Sequence, residues 1–267
     1  GRRLRAVAIP QALPWDSDIY RMPMARMSVV TGDSETARQY RVTEAVLAPA
    51  VALCDDRGVR HLSVRIDHHE YGVAAALGAL GFWFVDATVT LMRPVTAPLP
   101  RTPQGRNRQA SASDIPALQR VAASALVLGR AYHDPGLSLA ANRELNRRWI
   151  ANNCRGRAAQ VLVAVDSQGL RGFICCNIDD ASKALLGFAI GIVDLMAVAP
   201  AHQGRGVGYE LLGAALRWFV SRADVVEIRT QLDNRVGLAL YQKAGFCILS
   251  NGLALPSGYT FHRWRKA

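Results

Sequence analysis

The sequence predicts an α/β protein in which helices flank a central mixed sheet, and three observations favour this class. Apolar runs typical of strands alternate along the chain with segments whose apolar residues recur at helical spacing. One such strand, residues 193–198, is followed by a glycine-dense turn and a helical segment at 209–220. A strand–helix–Gly-Phe unit also occurs twice, over residues 64–82 and 228–246. With 267 residues, the chain is long enough for one large or two modest domains.

The predicted elements divide the chain into two parts and a linker. In the first part, helix signals cover about 35–55, and strand signals cover 61–66 and 83–91. Residues 94–107 are rich in proline and polar residues, which is typical of a linker. Later, Asp114 can cap a helix with Pro116 in its first turn, and a second helix is predicted over Leu139–Asn152. Strands are then predicted at 160–165, 172–178, 190–198 and 225–230, with short strands after Phe246 and around 259–264.

We therefore expect an N-terminal domain over 1–93, a linker over 94–107 and a second domain over 108–267. The two Gly-Phe units align at a constant offset, which pairs Gly81-Phe82 with Gly245-Phe246. Leu77 stands where the second unit has Tyr241, and residues 1–93 contain no counterpart of the glycine-dense turn. The first half is thus predicted to be a degenerate copy that keeps the scaffold without the chemistry. Chance similarity between two periodic segments is the alternative.

Composition excludes some functional classes. Half of the residues are hydrophobic and 20% are charged, as in ordinary globular proteins, and no apolar run is long enough for a membrane helix. The net charge of +11 predicts an anionic partner: an acidic substrate and cofactor, or a nucleic acid. A genomic bias towards arginine would also explain this charge. The arginines are scattered and no nucleic-acid module accompanies them, so we expect no nucleic-acid partner.

The five cysteines are odd in number and form no C-x-x-C motif. They predict buried thiols in a reduced, cytoplasmic protein. The sequence Asp67-His68-His69-Glu70 lacks the spacing of a metal site, because adjacent side chains diverge and no His-x-x-x-His pattern is present. No metal is therefore expected.

The glycine-dense turn over 203–208 is the main candidate for ligand binding. Backbone N–H groups at a helix start are unpaired and lie at the positive end of the helix dipole, so they bind phosphate. Glycine allows a close approach of the backbone to such a group. The spacing Gln203-x-x-Gly206-x-Gly208 is neither the dinucleotide fingerprint nor the nucleoside triphosphate loop. A glycine-rich turn with no ligand is the alternative.

This spacing resembles the acetyl-CoA pyrophosphate loop of the GNAT acetyltransferases, Q/R-x-x-G-x-G/A. The resemblance implies that the edge of the preceding strand pairs with the amide arm of the donor, and that the turn holds its pyrophosphate. It also implies that Asn234 binds the donor arm and that Tyr241 protonates the departing thiolate. A simple helix cap and a half-buried core tyrosine are the respective alternatives. The implied donor-binding residues are Leu195, Met196, Ala197, Val198, Gln203, Gly204, Arg205, Gly206, Val207, Gly208, Asn234 and Tyr241.

The general base has two candidates. Asp194 precedes the turn and is expected on the same strand face as Met196, where it could hold a water that takes the amine proton. His133 is the other candidate, because the pKa of an unperturbed imidazole suits proton transfer near neutral pH. Direct loss of the proton to solvent is the third option.

The chain is more specifically similar to the dTDP-fucosamine acetyltransferase family, which acetylates the 4-amino group of a nucleotide-linked amino sugar. This resemblance implies an incomplete N-terminal half joined to a full GNAT domain, with acetyl-CoA as cosubstrate. It places His133, Asp134, Thr230 and Gln231 near the acceptor. The matching segments are Leu13–Asp18, Arg65–Asp67, Gly81-Phe82, Tyr132–Pro135, Trp149-Ile150, Gly172-Phe173, Thr230-Gln231 and His262–Trp264.

The sequence departs from that family at Ile19-Tyr20-Arg21, where the family usually has Phe-Phe-Gly. We therefore expect a small-molecule amine as acceptor, foremost an anionic nucleotide-linked amino sugar. Another amine from natural-product biosynthesis or resistance, and a longer acyl donor, stay open. A non-catalytic CoA sensor and a basic nucleic-acid-binding protein are the alternatives from other classes. We expect no membrane partner, and a homodimer is left open as the assembly.

Overall fold

The computed structural model describes residues 6–31, 40–98, 106–248 and 258–265. The described strands are β1 Ala6–Ala12, β2 Met24–Thr31, β3 His61–Asp67, β4 Trp83–Pro94, β5 Arg106–Gln109, β6 Gln160–Asp166, β7 Gly169–Asp179, β8 Ile190–Val198, β9 Val225–Gln231 and β10 Gly258–Trp264. The described α-helices are α1 Pro14–Tyr20, α2 Tyr40–Asp56, α3 Tyr71–Ala79, α4 Ile115–Ala125, α5 Arg130–His133, α6 Leu139–Asn152, α7 Asp180–Leu186, α8 Val207–Phe219 and α9 Arg235–Lys243. None of the described helices is both long and apolar enough to cross a membrane.

Most of the predicted elements are present. The predicted α6 and β8 have the observed bounds, and most other ends shift by a few residues. The predicted short strand after Phe246 is a single bridge between Cys247 and Met92, and residues 35–39 of the predicted first helix lie outside the described residues. The elements β1, α1, β2, β5, α5 and α7 were not predicted. The expectation of buried thiols holds for Cys54, Cys175 and Cys176, whereas Cys154 is half-buried and Cys247 is exposed.

The chain forms two compact units whose bounds differ from the predicted domains. The first unit contains residues 1–88, 129–141 and 256–267, and the second contains 89–128 and 142–255. The C-terminal segment belongs to the first unit because β10 pairs antiparallel with β3 and with the first half of β4. The predicted linker, 94–107, overlaps two strands at its ends: β4 continues to Pro94, and β5 pairs with β6 from Arg106 onwards. Residues 99–105 lie outside the described residues.

In the first unit, the strand order is β1-β2-β3-β10-β4. The β2 and β3 strands are parallel, and the β1–β2, β3–β10 and β10–β4 pairs are antiparallel. Helices α2 and α3 pack on this sheet through a buried apolar cluster. Its fully buried members include Met27, Leu47, Val64 and Leu77. The unit therefore has its own core.

A buried polar cluster joins three separated segments of the first unit. The Asp134 carboxylate accepts hydrogen bonds from His262 Nδ1 at 2.6 Å and from His61 Nε2 at 3.3 Å. It also accepts from the Trp264 indole N–H at 3.2 Å and from the Gly136 amide at 2.9 Å. Two histidines and an aspartate would suit a transition metal by donor type. Here four N–H donors take up the lone pairs of the carboxylate, while His61 Nδ1 and His262 Nε2 have no partner among the described residues.

We expect Asp134→Asn to lower the free energy of unfolding by about 3 kcal/mol, because buried donors would lose a charged acceptor. Burial alone raises the pKa of Asp134, but the hydrogen bonds from His262, His61 and Gly136 outweigh it and hold the pKa well below its usual range. The stabilisation is therefore present above the unfolded-state pKa of about 4 and is lost at lower pH. Urea unfolding at pH 7 and pH 3 measures this: the difference from wild type should shrink at pH 3. An equal difference at both pH values would contradict the assignment.

In the second unit, the strand order is β4-β9-β8-β7-β6-β5, with residues 89–94 of β4 at one edge. The β8 and β9 strands are parallel, and the β5–β6, β6–β7 and β7–β8 pairs are antiparallel. Helices α8 and α9 cover one face of the sheet, with Leu211, Phe219 and Ile228 in the core. Helices α4 and α6 cover the other face, with Leu118 and Ile150 in the core. The predicted mixed sheet flanked by helices is confirmed.

The local geometry of the two Gly-Phe units repeats. The Phe82 amide donates to the Leu77 carbonyl at 3.0 Å, and the Phe246 amide donates to the Tyr241 carbonyl at the same distance. The glycine before each phenylalanine is left-handed, with φ 81° at Gly81 and 84° at Gly245. An arginine Nε caps each helix end: Arg263 donates to Leu80 O at 3.1 Å, and Arg93 to Ala244 O at 2.9 Å. This agreement supports the proposal that the first half is a degenerate copy of the second.

Candidate active site

The two parallel strands β8 and β9 separate part-way along their length. Their pairing runs from Ile190/Val225 to Val193/Ile228 and stops there, although both strands continue. On its other side, β8 stays paired with β7 as far as Val198. No described strand therefore pairs with the β9-facing edge of residues 194–198, a length of about 16 Å. An extended amide chain can pair with such an edge as an added strand.

The glycine-dense turn follows the open edge directly. Gly204 and Gly206 are left-handed, with φ 72° and 80°, and α8 begins at the next residue, Val207. No side chain caps α8 among the described residues, whereas Asp179 caps α7 and Asn234 caps α9. The first N–H groups of α8 are thus available to an anion at the positive end of the helix dipole. The sequence-predicted residues 203–208 lie together at this point.

The side chain of Gln203 closes the turn back onto the strand. Its Nε2 donates to the Val198 carbonyl at 3.1 Å, so it orients the loop. Arg205 is exposed in the same turn. A Cβ at Gly208 would approach Met196 Cε at 3.1 Å and Leu240 Cδ2 at 3.2 Å, so a side chain there would crowd the strand and α9.

A substitution at Gly206, compared with one at Gly187, should separate the effect of backbone strain on stability from the effect on acetyl-CoA binding. Gly206→Ala forces alanine into a left-handed conformation at a cost of about 1–2 kcal/mol, and it shifts the N–H groups that face the anion. Gly187→Ala is a matched control, because Gly187 has φ 77° in equally open space but precedes β8 rather than following it. Both variants should lose similar stability in thermal unfolding. Only Gly206→Ala should weaken acetyl-CoA binding by calorimetry, and equal affinities for both would refute the placement.

Asn234 and Thr230 form a capped helix start next to the open edge. Asn234 Oδ1 accepts from the Gly237 amide at 3.0 Å, and its Nδ2 donates to Thr230 Oγ1 at 2.8 Å. Asn234 is therefore a helix cap, as the alternative held, and only one Nδ2 proton is left for the donor arm. Gln231, the last residue of β9, is half-buried.

Tyr241 points from α9 into the buried apolar cluster that contains Val193 and packs against Met196 and Val198. It is 8% exposed and packs edge-to-face with Phe246 at 6.3 Å between ring centroids. Its hydroxyl has no hydrogen-bond partner among the described residues. Burial raises the pKa of Tyr241 to about 12, so the hydroxyl carries its proton at neutral pH. It can therefore act as a proton donor and not as a base.

Asp194 lies at the point where the two strands separate. It is the extra residue of a β-bulge, because Cys175 pairs with Leu195 and Cys176 with Val193. The expectation that Asp194 shares a face with Met196 is wrong: the bulge turns Asp194 towards α6, whereas Met196 packs on the α8 side. This difference could not be predicted from strict alternation.

Two residues that the sequence analysis did not assign hold Asp194. The Trp149 indole N–H and Asn153 Nδ2 both donate to Asp194 Oδ2, at 3.1 and 3.0 Å. Asn153 starts a π-helical turn, residues 153–157, that continues α6. Asp194 Oδ1 has no hydrogen bond from a described residue and stays available. The Trp149-Ile150 motif was a signal for this contact, but nothing in the sequence indicated its partner.

The remaining predicted residues lie in the first unit. His133 ends α5 and is half-buried. Asp134 is 1% exposed and its carboxylate is used by the network with His61, His262 and Trp264. Direct contact between Asp134 and an acceptor is therefore not supported. The prediction that this segment contacts the acceptor therefore depends on His133 and stays a prediction.

The residues that form the open edge, the uncapped helix and the buried tyrosine lie within a segment that matches a known family. The model of the acetyltransferase (GNAT) family matches residues 130–246, which include all of these features. This chain contains a GNAT acetyltransferase domain. The protein is accordingly an acyltransferase, and enzymes of the GNAT family use acetyl-CoA.

The relatives of this protein include two whose names refer to a polysaccharide or a sugar nucleotide. It is 25% identical to the spore coat polysaccharide biosynthesis protein SpsD of Bacillus subtilis, over 98% of this chain and 85% of that protein. It is 29% identical to the dTDP-fucosamine acetyltransferase of Escherichia coli O6:H1, over 65% of this chain and 71% of that enzyme. Among solved structures, a tandem GNAT protein from the clavulanic acid biosynthesis pathway has a TM-score of 0.59 at 16% identity. That match covers 92% of this chain and 76% of the other, and it supports the fold.

Proposed function

We propose that this protein transfers an acetyl group directly from acetyl-CoA to an amine of a small molecule, foremost a nucleotide-linked amino sugar. The observation that carries the proposal is the junction of the open β8 edge with the uncapped start of α8. An amide arm and a pyrophosphate are joined in one molecule in CoA, and the junction offers a pairing edge and an anion site in the same order. Tyr241 adds a proton donor beside that edge.

Each of the proposed residues has one role in binding the donor or in the reaction. The open edge of Leu195–Val198 aligns the thioester, and the N–H groups that follow Gly206 hold the pyrophosphate. The neutral amine attacks the thioester carbonyl carbon, and the carbon–sulfur bond breaks as the tetrahedral intermediate collapses. Tyr241 gives its proton to the departing thiolate, and Asp194 Oδ1 takes the amine proton through a water. Asn234 fixes the start of α9 and thereby the position of Tyr241.

The acceptor class is supported by similarity and by charge. The two relatives named above belong to polysaccharide biosynthesis and amino-sugar acetylation by their names. The net charge of +11 agrees with an anionic donor and an anionic acceptor. The unpaired cysteines agree with a reducing, cytoplasmic setting.

An acceptor screen tests the proposed function. The wild-type protein is mixed with acetyl-CoA and amino sugars with and without a nucleotide diphosphate, and release of free thiol is followed. We expect release with a nucleotide-linked 4-amino sugar and much less with the free sugar. Release of free thiol only with other amines would support the acetyltransferase activity but contradict the proposed acceptor. No acetyl-CoA binding, together with salt-dependent binding to arbitrary DNA, would overturn the proposal.

A further inference from the structure

A buried carboxylate lies beside the proposed anion site. Glu210 is in the first turn of α8, only 5% exposed, and its own amide donates to the Gly206 carbonyl at 3.0 Å. Both of its carboxylate oxygens accept from one nitrogen of Arg171, Nη2, at 3.1 Å each. Arg171 is in β7, and its side chain is 17% exposed. The mechanism described above uses neither residue.

An unneutralised carboxylate at this position would oppose the proposed donor. Negative charge is favourable at a helix N-terminus, so Glu210 and a bound pyrophosphate compete for the same favourable interaction with the positive end of the helix dipole. Two like charges in a partly buried setting also repel each other strongly. Asp166 adds a second carboxylate nearby, with its Oδ2 at 3.7 Å from Arg171 Nε.

We propose that Arg171 is an electrostatic positioning residue for the anionic part of the donor. It neutralises Glu210 and holds its carboxylate towards β7, away from the first N–H groups of α8. The carbonyl of Arg171 also accepts from the Ala199 amide at 2.8 Å, which fixes the chain just before the turn. The inference rests on the proposed use of acetyl-CoA, and it assigns the pair a role in donor affinity rather than in the chemical step.

The test compares two donors in four variants. Arg171→Met should weaken acetyl-CoA binding by about 10- to 100-fold, and less so at high salt, because screening reduces repulsion. Activity with S-acetylpantetheine, which has the amide arm and thioester but no pyrophosphate, should change little. Arg171→Lys keeps the charge and should retain most of the affinity. Glu210→Gln alone should bind at least as tightly as wild type, and the double variant Arg171→Met/Glu210→Gln should recover the lost affinity.

Several outcomes would overturn the inference. These are an unchanged affinity in Arg171→Met, an equal loss with both donors, and no recovery in the double variant. If Arg171→Met does not fold, Glu210→Gln decides alone, since weaker acetyl-CoA binding by that variant contradicts the inference. Failure of the wild-type protein to bind acetyl-CoA would instead refute the proposed function itself. The two failures are thus distinguishable.

Discussion

Replacing Tyr241 with phenylalanine is expected to lower kcat by about 100-fold or more, because general acid catalysis contributes a factor of this size. The phenyl ring keeps the packing against Phe246, so the KM for acetyl-CoA and the thermal stability should stay close to wild type. The measurement is free-thiol release with the best acceptor from the screen. Tyr259→Phe is the matched control, since Tyr259 is a half-buried tyrosine of β10 in the first unit.

The pH profile adds a second criterion for the same residue. Because burial raises the pKa of Tyr241 to about 12, its hydroxyl stays protonated well into the alkaline range. Loss of activity between pH 8 and 10 should therefore not arise from Tyr241. A rate in Tyr241→Phe equal to that of wild type would show that the thiolate leaves without this proton.

Replacing Asp194 with asparagine is expected to lower kcat by about 100-fold, the lower end of the range for a general base. The amide can still accept from Trp149 and Asn153, so the bulge is preserved while Oδ1 can no longer take a proton. Initial rates of free-thiol release measure kcat, and the KM of Asp194→Asn for acetyl-CoA should stay unchanged.

His133→Asn separates the two candidates for the base. A small effect of His133→Asn together with a large effect of Asp194→Asn assigns the base to Asp194. The reverse pattern assigns it to His133. Small effects of both would mean that solvent takes the amine proton, which would remove Asp194 from the proposed mechanism.

Local pattern was sufficient for much of the fold. The alternation and helical periodicity predicted α6, β8 and most of the second unit, because these elements depend on neighbouring residues. The glycine spacing predicted the turn at 203–208 for the same reason. Strand β5 was missed because its segment, Arg106–Gln109, is short and polar.

Contacts between segments that are distant in the sequence could not be predicted from local sequence patterns. The assignment of β10 to the first unit depends on its pairing with β3, almost 200 residues earlier in the sequence. Asp134 was predicted near the acceptor, but its burial depends on His61 and His262, which no sequence window brings together. The bulge at Asp194 likewise follows from the pairing of β7 and β8 and not from the composition of either strand.

Hydrogen exchange with and without acetyl-CoA tests the central claim most directly, since it reports which backbone amides the donor covers. The open edge and the start of α8 should gain protection together on binding: the amides of Met196 and Val198, which face away from β7, and of Val207–Tyr209. Residues 61–64 of β3, which are already paired on both sides in the first unit, should not change. Binding of acetyl-CoA without protection of the amides of 196, 198 and 207–209 would contradict the site described here.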